Sequence, residues 1–361
     1  MGHFLPTAGD TRVRTTLQTT ATSPAEGTGC RHGGEGWTAA AKMGAMAIHP
    51  YLDSAGRPDA WTGGAQLIPI QTPKGEFNVW TKRVGNNPDA RLLLLHGGPG
   101  ATHEYFEPCD THLAAAGIEF IYYDQLGSFY SDQPDEPELW EIDRFIDEVE
   151  QVRIALGLDA SNFFLLGHSW GGVLAIEYAL KHQQNLKGLI ISNMMSSIPE
   201  YNRYAEQVLM PRMDQAKLAQ VKALEAAGDT GNPDYESLLM EIHYQHHVLR
   251  MPPQQWPDPV GRAFAHINAS IYVPLQGPSE LGASGKLLHW DRTADLAAIN
   301  TRTLVLGAEH DTMSPLYLEH MAALMPNARA HICPEGSHMA MFDDQGSYFT
   351  ALSEFILSAT G

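Results

Sequence analysis

The stretch Phe163–Leu180, FFLLGHSWGGVLAIEYAL, changes its apolar period part-way along. Phe163 to Leu166 form an uninterrupted apolar run, whereas after Gly172 the apolar residues fall at helical spacing. The first pattern is that of a strand buried on both faces, the second that of a helix. Between them stands Gly167-His168-Ser169-Trp170-Gly171, a serine with a glycine two residues to either side. At a strand-to-helix corner this pattern forces strained backbone angles on the serine, and the glycines remove Cβ atoms that would collide with strand and helix. The Ser169 hydroxyl is thereby held clear of the sheet. The backbone N–H of Trp170, at the positive end of the new helix, can face an oxyanion forming there.

The same alternation extends in both directions. ARLLLLHGGPG (90–100), IEFIYYDQLG (118–127) and LKGLIISN (186–193) are short apolar runs ended by glycine, charge or amide, as strands of a covered parallel sheet should be. Between them Ile142, Phe145, Ile146, Val149, Val152 and Leu156 recur at three and four, which predicts an amphipathic helix stopped at Gly157. Earlier, AQLIPIQTPKGEFNVWTKRVG (65–85) alternates around a Pro-Lys-Gly turn and predicts a hairpin. The rhythm is lost from Ser196 to Asp295, where helix-like stretches and Pro-rich connections take over, and returns with TRTLVLGAEHD (301–311), ARAHICPEGSH (328–338) and a closing helix.

This gives an α/β class with a mostly parallel central sheet flanked by helices. The core is expected over 46–195 and 296–361, with a helical cap inserted at 196–295 over the strands' carboxyl edge, where open α/β sheets keep their ligand sites. Residues 1–45, rich in Thr, Gly, Ala and Ser, read as a flexible tail, with Met43 and Met46 as alternative starts.

Composition excludes several classes of partner. Lys and Arg number 23 against 42 Asp and Glu, and the net charge of −19 repels phosphate backbones and anionic lipid. Neither nucleic acid nor a membrane is therefore expected as a partner. The same field modestly favours cationic ligands such as a peptide's ammonium, although acidic surfaces are ordinarily just solvated. Cys30, Cys109 and Cys333 are too few and scattered for a disulfide framework, and no apolar run approaches the roughly 20 residues that span a bilayer. A cytoplasmic setting fits.

A hydroxyl attacks only if a base takes its proton, and the base needs an acid to orient it. For a serine on such a corner the chain order is serine, acid, histidine. Asp311 and His338 each follow a predicted strand, in that order and at the same sheet edge as Ser169. Glu309 is the rival acid, set too early to clear the strand exit. Among 17 histidines, His96 and His168 are expected to orient the loops around the site. The glycines of His96–Gly100, HGGPG, let backbone approach a reacting carbonyl, and Gly98 N–H is the expected second oxyanion donor beside Trp170. Acyl transfer of this kind needs no metal or organic cofactor.

With HGGPG, YYDQLGSFYSDQP, GHSWGG, GAEHD and GSH in this order, the chain resembles the proline iminopeptidase family of the α/β-hydrolase fold, from about residue 65 to 358. The resemblance implies release of N-terminal residues, often proline, from short peptides or aminoacyl amides. It also implies amine anchoring by cap residues: Glu280, in GPSE, matches an amine-binding glutamate, and Tyr272, in SIYV, a residue beside that pocket. Some relatives carry a second amine-binding glutamate directly after the catalytic aspartate. Here that position is Thr312, with Glu241 or Glu309 as possible substitutes. An amino acid amidase or carboxylesterase with the same triad is the alternative enzyme, and a hydrolase-like receptor that binds without turnover the alternative outside catalysis.

Overall fold

Strands made only of apolar residues require cover on both faces, and the sheet has it. The computed structural model describes Tyr51, Gly56, Arg57, Asp59 and residues 62–360. The tail expected over 1–45 lies outside the described residues. Strands β1 (Ala65–Thr72) and β2 (Gly75–Val84) form the expected hairpin, with Thr72 paired to Gly75. They are followed by β3 (Arg91–Leu95), β4 (Glu119–Asp124), β5 (Phe163–His168), β6 (Gly188–Ser192), β7 (Thr303–Ala308) and β8 (Ala328–Cys333). The order across the sheet is β1-β2-β4-β3-β5-β6-β7-β8. The β1/β2 and β2/β4 pairs are antiparallel and every later pair is parallel.

Alternate residues of the central strands enter two separate cores. Leu93, Leu95, Tyr123, Leu165 and Ile191 pack on one side with helices α2 (Ile142–Ala155) and α3 (Trp170–His182), after α1 (Cys109–Ala115) has crossed to the other. Leu92, Leu94, Tyr122, Leu166 and Ile190 face that second side, against α1 and the C-terminal helix. Each fully buried Leu, Ile or Phe contributes about 1.5–3 kcal/mol, so both faces are strongly specified.

Between Ser192 and Thr303 there is no strand among the described residues. This segment holds α4 (Ile198–Tyr204), α5 (Gln215–Ala227), α6 (Pro233–Leu239), a π-helix (Met240–Val248), α7 (Asp258–Ala265) and α8 (Ala269–Leu275). Helix α5 starts where the Asp214 carboxylate accepts the Ala216 and Lys217 N–H groups. Leu218, Val221, Tyr235, Leu239 and Ile242 give this region a small core of its own. The chain then returns through β7, α9 (Pro315–Leu324), β8, α10 (Ala340–Asp343) and α11 (Gln345–Leu357). No helix among the described residues is long and apolar enough to cross a membrane.

Candidate active site

Strand β5 ends at His168 and α3 begins at Trp170, leaving Ser169 alone at the corner with φ 55° and ψ −124°. That is a costly conformation for any residue with a Cβ, and the surrounding packing has to impose it. A Cβ on Gly167 would lie 1.9 Å from the Gly171 carbonyl oxygen, and one on Gly171 would lie 2.1 Å from that of Leu95. Strand, corner and helix approach so closely only because these two positions are glycine.

The loops after β7 and β8 bring Asp311 and His338 together. His338 Nδ1–H donates to Asp311 Oδ1 at 2.8 Å. The same oxygen accepts from Met313 N–H at 3.1 Å and the Thr312 hydroxyl at 3.2 Å, while Oδ2 accepts from Asn193 Nδ2 at 2.7 Å. Burial pulls the His338 pKa down, but the charge and hydrogen bond of Asp311, with the charge of Glu280, outweigh it and the net shift is upward. Ser169 and His338 line one cavity. No hydrogen bond joins the Ser169 hydroxyl to His338 among the described residues.

Gly98 follows β3 with φ 106°, and it lines the same cavity. Its N–H and that of Trp170, in the first turn of α3, are bonded to no acceptor among the described residues. Two neutral histidines brace this region. His96 Nε2 accepts the Gln125 N–H at 3.1 Å, so Nδ1 carries the proton given to Gly97 O; burial lowers its pKa to about 4. Gln125 in turn accepts from the Trp170 indole N–H at 3.0 Å.

His168, its pKa lowered to about 3 by burial and by the neighbouring His338, uses both nitrogens. Gly97 N–H donates to the Tyr105 hydroxyl at 2.6 Å, Tyr105 donates to His168 Nδ1 at 3.1 Å, and His168 Nε2–H donates to the His338 carbonyl at 2.8 Å. One chain of hydrogen bonds therefore runs from the HGGPG loop through the serine corner to the histidine loop.

The cap supplies the opposite wall. Leu239, Tyr244, Phe264 and Ile267 make it apolar, around an open space of about 80 Å³. Into it faces Glu280, whose Oε1 accepts from Tyr272 at 2.6 Å and whose backbone carbonyl accepts from Tyr201 and His243. Burial raises the Glu280 pKa, partly offset by His338 and by the Tyr272 hydrogen bond. Glu236, on α6, is a second carboxylate on this wall, one that the sequence did not single out.

Two sequence expectations are corrected. Glu241 does not reach the cavity: it is exposed and ion-paired with Lys217, because its π-helix turns Met240 and Tyr244 inward instead. Glu309 is likewise exposed, on a separate groove beside Tyr204 and Tyr317, and is no partner of His338. Thr312 is buried against Asp311 and is absent from the cavity wall.

A family model described as the alpha/beta hydrolase fold matches residues 90–345. A proline iminopeptidase of Flavobacterium johnsoniae is 51% identical over 290 residues, covering 80% of this chain and 97% of the relative. The chain belongs to the proline iminopeptidase family. A second proline iminopeptidase, from Elizabethkingia meningoseptica, is 52% identical over 292 residues, with 80% of this chain and 97% of the relative covered. Among solved structures, the proline iminopeptidase of Mycobacterium smegmatis superposes with a TM-score of 0.70 at 27% identity, over 82% of this chain and 98% of that one. VinJ superposes with a TM-score of 0.75 at 26% identity, over 81% and 99%. Spans of this length take in the cap as well as the sheet.

In this member of the proline iminopeptidase family, Asn193, Tyr105 and Gln125 went unread in the sequence as site residues. Asn193 sits directly after β6 with φ 53°, a conformation that asparagine tolerates better than most residues. A polar pair, Ser192 and Asn193, closing an otherwise apolar run is the available signal.

Proposed function

We propose that this chain releases N-terminal residues, proline foremost, from short peptides or aminoacyl amides through an acyl-enzyme on Ser169. The observation carrying this reading is the placement of Glu280 on the wall of the cavity that Ser169 and His338 share. A buried carboxylate in a largely apolar pocket pairs with a charged amine and rejects substrates without one.

The chemistry follows from the hydrogen bonds. Asp311 holds the Nδ1 proton of His338, which leaves Nε2 as the basic nitrogen. The substrate draws Ser169 Oγ within reach of Nε2, a contact that commonly tightens only in the loaded enzyme. Oγ attacks the acyl carbon, His338 takes its proton, and the Gly98 and Trp170 N–H groups receive the oxyanion. His338 then protonates the departing amine, and water activated by the same imidazole releases the amino acid. The small cavity suits one residue's side chain rather than a long peptide. A cytoplasmic setting suits the buried free thiols of Cys109 and Cys333.

One observation favours a second reading, an amino acid amidase or esterase with the same machinery: Thr312, where some relatives have a second amine-binding glutamate, turns to Asp311. Kinetics on prolyl arylamide, alanine amide and a short acyl ester separate the two. Glu280→Gln should reduce kcat/KM for prolyl arylamide on the order of 10²-fold while leaving an N-acylated ester nearly unchanged. Equal losses on both substrates would count against amine anchoring.

The pH profile gives a further check. His338 must be neutral to act as base and its pKa is raised above the ordinary 6.5, so kcat/KM should fall as pH drops through a limb lying above 6.5. Glu280 contributes to that rise, so Glu280→Gln should move the limb toward acid. A limb at or below 6.5 in the unaltered enzyme would contradict the assignment.

A further inference from the structure

The cap touches the oxyanion loop from outside the cavity. Asn268, between α7 and α8, donates its backbone N–H to Gly100 O at 2.8 Å and its side-chain Nδ2–H to Gly127 O at 2.8 Å. The fit at Gly100 is tight: its φ is +75°, and a Cβ there would lie 3.0 Å from the Asn268 carbonyl. Four residues after Gly100, Glu104 is buried at 2% exposure. It accepts from Arg262 of α7, from His266 Nδ1 at 2.7 Å and from the Thr102 hydroxyl at 3.0 Å. Arg262 extends a second arm to Glu107 at 2.7 Å, and Phe129 stacks on the His266 ring with centroids 4.0 Å apart.

The loop that carries Gly98 is thus held on two sides. On the core side Gly97 N–H is fixed by Tyr105, and Ala101 N–H closes the turn on Gly97 O at 3.3 Å. On the cap side the carbonyl of Gly100 and, through Thr102, the buried carboxylate of Glu104 are tied to α7 and to the α7–α8 corner. A buried carboxylate shared by a guanidinium and an imidazole is a strong, directional tie, and it joins α7 of the cap to the segment that follows HGGPG.

We infer that the α7–α8 corner of the cap is a positioning element of the oxyanion hole, with Asn268 and Glu104 as its positioning residues. This rests on the serine-hydrolase reading above. The corner fixes where the Gly98 N–H points as well as shaping the acyl pocket. Displacing an oxyanion donor weakens the transition state for every acyl substrate, whether or not it carries an amine.

The test compares Asn268→Pro, which removes the N–H that reaches Gly100 at a φ of −80° that proline accepts, with Glu104→Gln and with Arg262→Lys, which keeps the charge but loses the fork. Reactive Ser169 is first titrated with a fluorophosphonate so that rates refer to folded sites. Each of the first two variants should lower kcat per titrated serine about tenfold or more, on p-nitrophenyl acetate and prolyl arylamide alike. KM for the ester should stay within about twofold, and the affinity for a short alkyl boronate, a tetrahedral mimic, should fall by the same factor as kcat. Arg262→Lys should show the same pattern more weakly, and carries the test if Glu104→Gln does not fold. Unchanged kcat on the ester with a raised KM for prolyl arylamide alone would overturn the inference and leave the corner as a pocket wall. If the unaltered enzyme were neither labelled at Ser169 nor active on either substrate, the serine-hydrolase reading itself would fall, and the inference with it.

Discussion

Replacing Ser169 with alanine is expected to lower kcat on a prolyl arylamide by about 10⁶-fold, the scale on which a triad loses its nucleophile. The substitution removes one oxygen and little else. Among the described residues the hydroxyl makes no hydrogen bond, so no buried partner is left unsatisfied. The strained φ of 55° is required of alanine as much as of serine, so stability should change by less than about 0.5 kcal/mol. KM should change little, because Glu280, Tyr272 and the apolar wall remain. Residual hydrolysis of 10³–10⁴ over water, on the order left by an oxyanion hole alone, is the expected floor. Steady-state kinetics together with a thermal melt check both halves. Turnover within tenfold of the unaltered enzyme would remove Ser169 from the mechanism.

The sheet and the serine corner were legible because each is written in local spacing. An apolar run of four, a glycine two residues either side of a serine and a helical period afterwards are all confined to Phe163–Leu180, and the structure places strand, corner and helix there. Asp311 and His338 were legible for a related reason: both follow apolar strands of a parallel sheet, which puts them at one edge whatever lies between. The choice of Asp311 over Glu309 needed only the direction of the strand exit, and burial agrees, since Asp311 is fully enclosed and Glu309 exposed.

The cap was legible as helical but not as a surface. Which of its residues face the cavity depends on helix phase, and a π-helix over Met240–Val248 changes that phase in a way that a 3.6-residue period does not anticipate. Glu241, expected as a possible substitute for a second amine-binding glutamate, lies outside the cavity, and Glu236 lies on its wall. The bracing groups were hidden for another reason. Tyr105, Gln125 and Asn193 act across 63, 45 and 118 residues of sequence, on His168, Trp170 and Asp311 respectively. Hydrogen bonds of such separation leave no period to read.

Asp311→Asn is the second large effect, a fall in kcat on the order of 10⁴-fold with the geometry otherwise kept. All four partners of the Asp311 carboxylate donate: His338, Met313 N–H and Thr312 to one oxygen, Asn193 to the other. An asparagine brings two donors of its own and must set them against one side. Facing Asn193, its amide meets another amide nitrogen, and Asn193 cannot simply turn over, because its Nδ2 also donates to the Ser337 carbonyl at 3.3 Å. Facing His338, the amide makes Nδ1 an acceptor and moves the imidazole proton to Nε2, where it can no longer accept from Ser169. Either arrangement leaves a buried mismatch, and the second disables the base directly. The pH profile separates this from simple destabilisation: Asp311 supplies the largest of the effects that raise the His338 pKa, so without it the acid limb should move toward acid. Glu309→Gln serves as the control and should leave both kcat and the limb where they are. A loss in Glu309→Gln with activity retained in Asp311→Asn would transfer the acid's role to the other carboxylate.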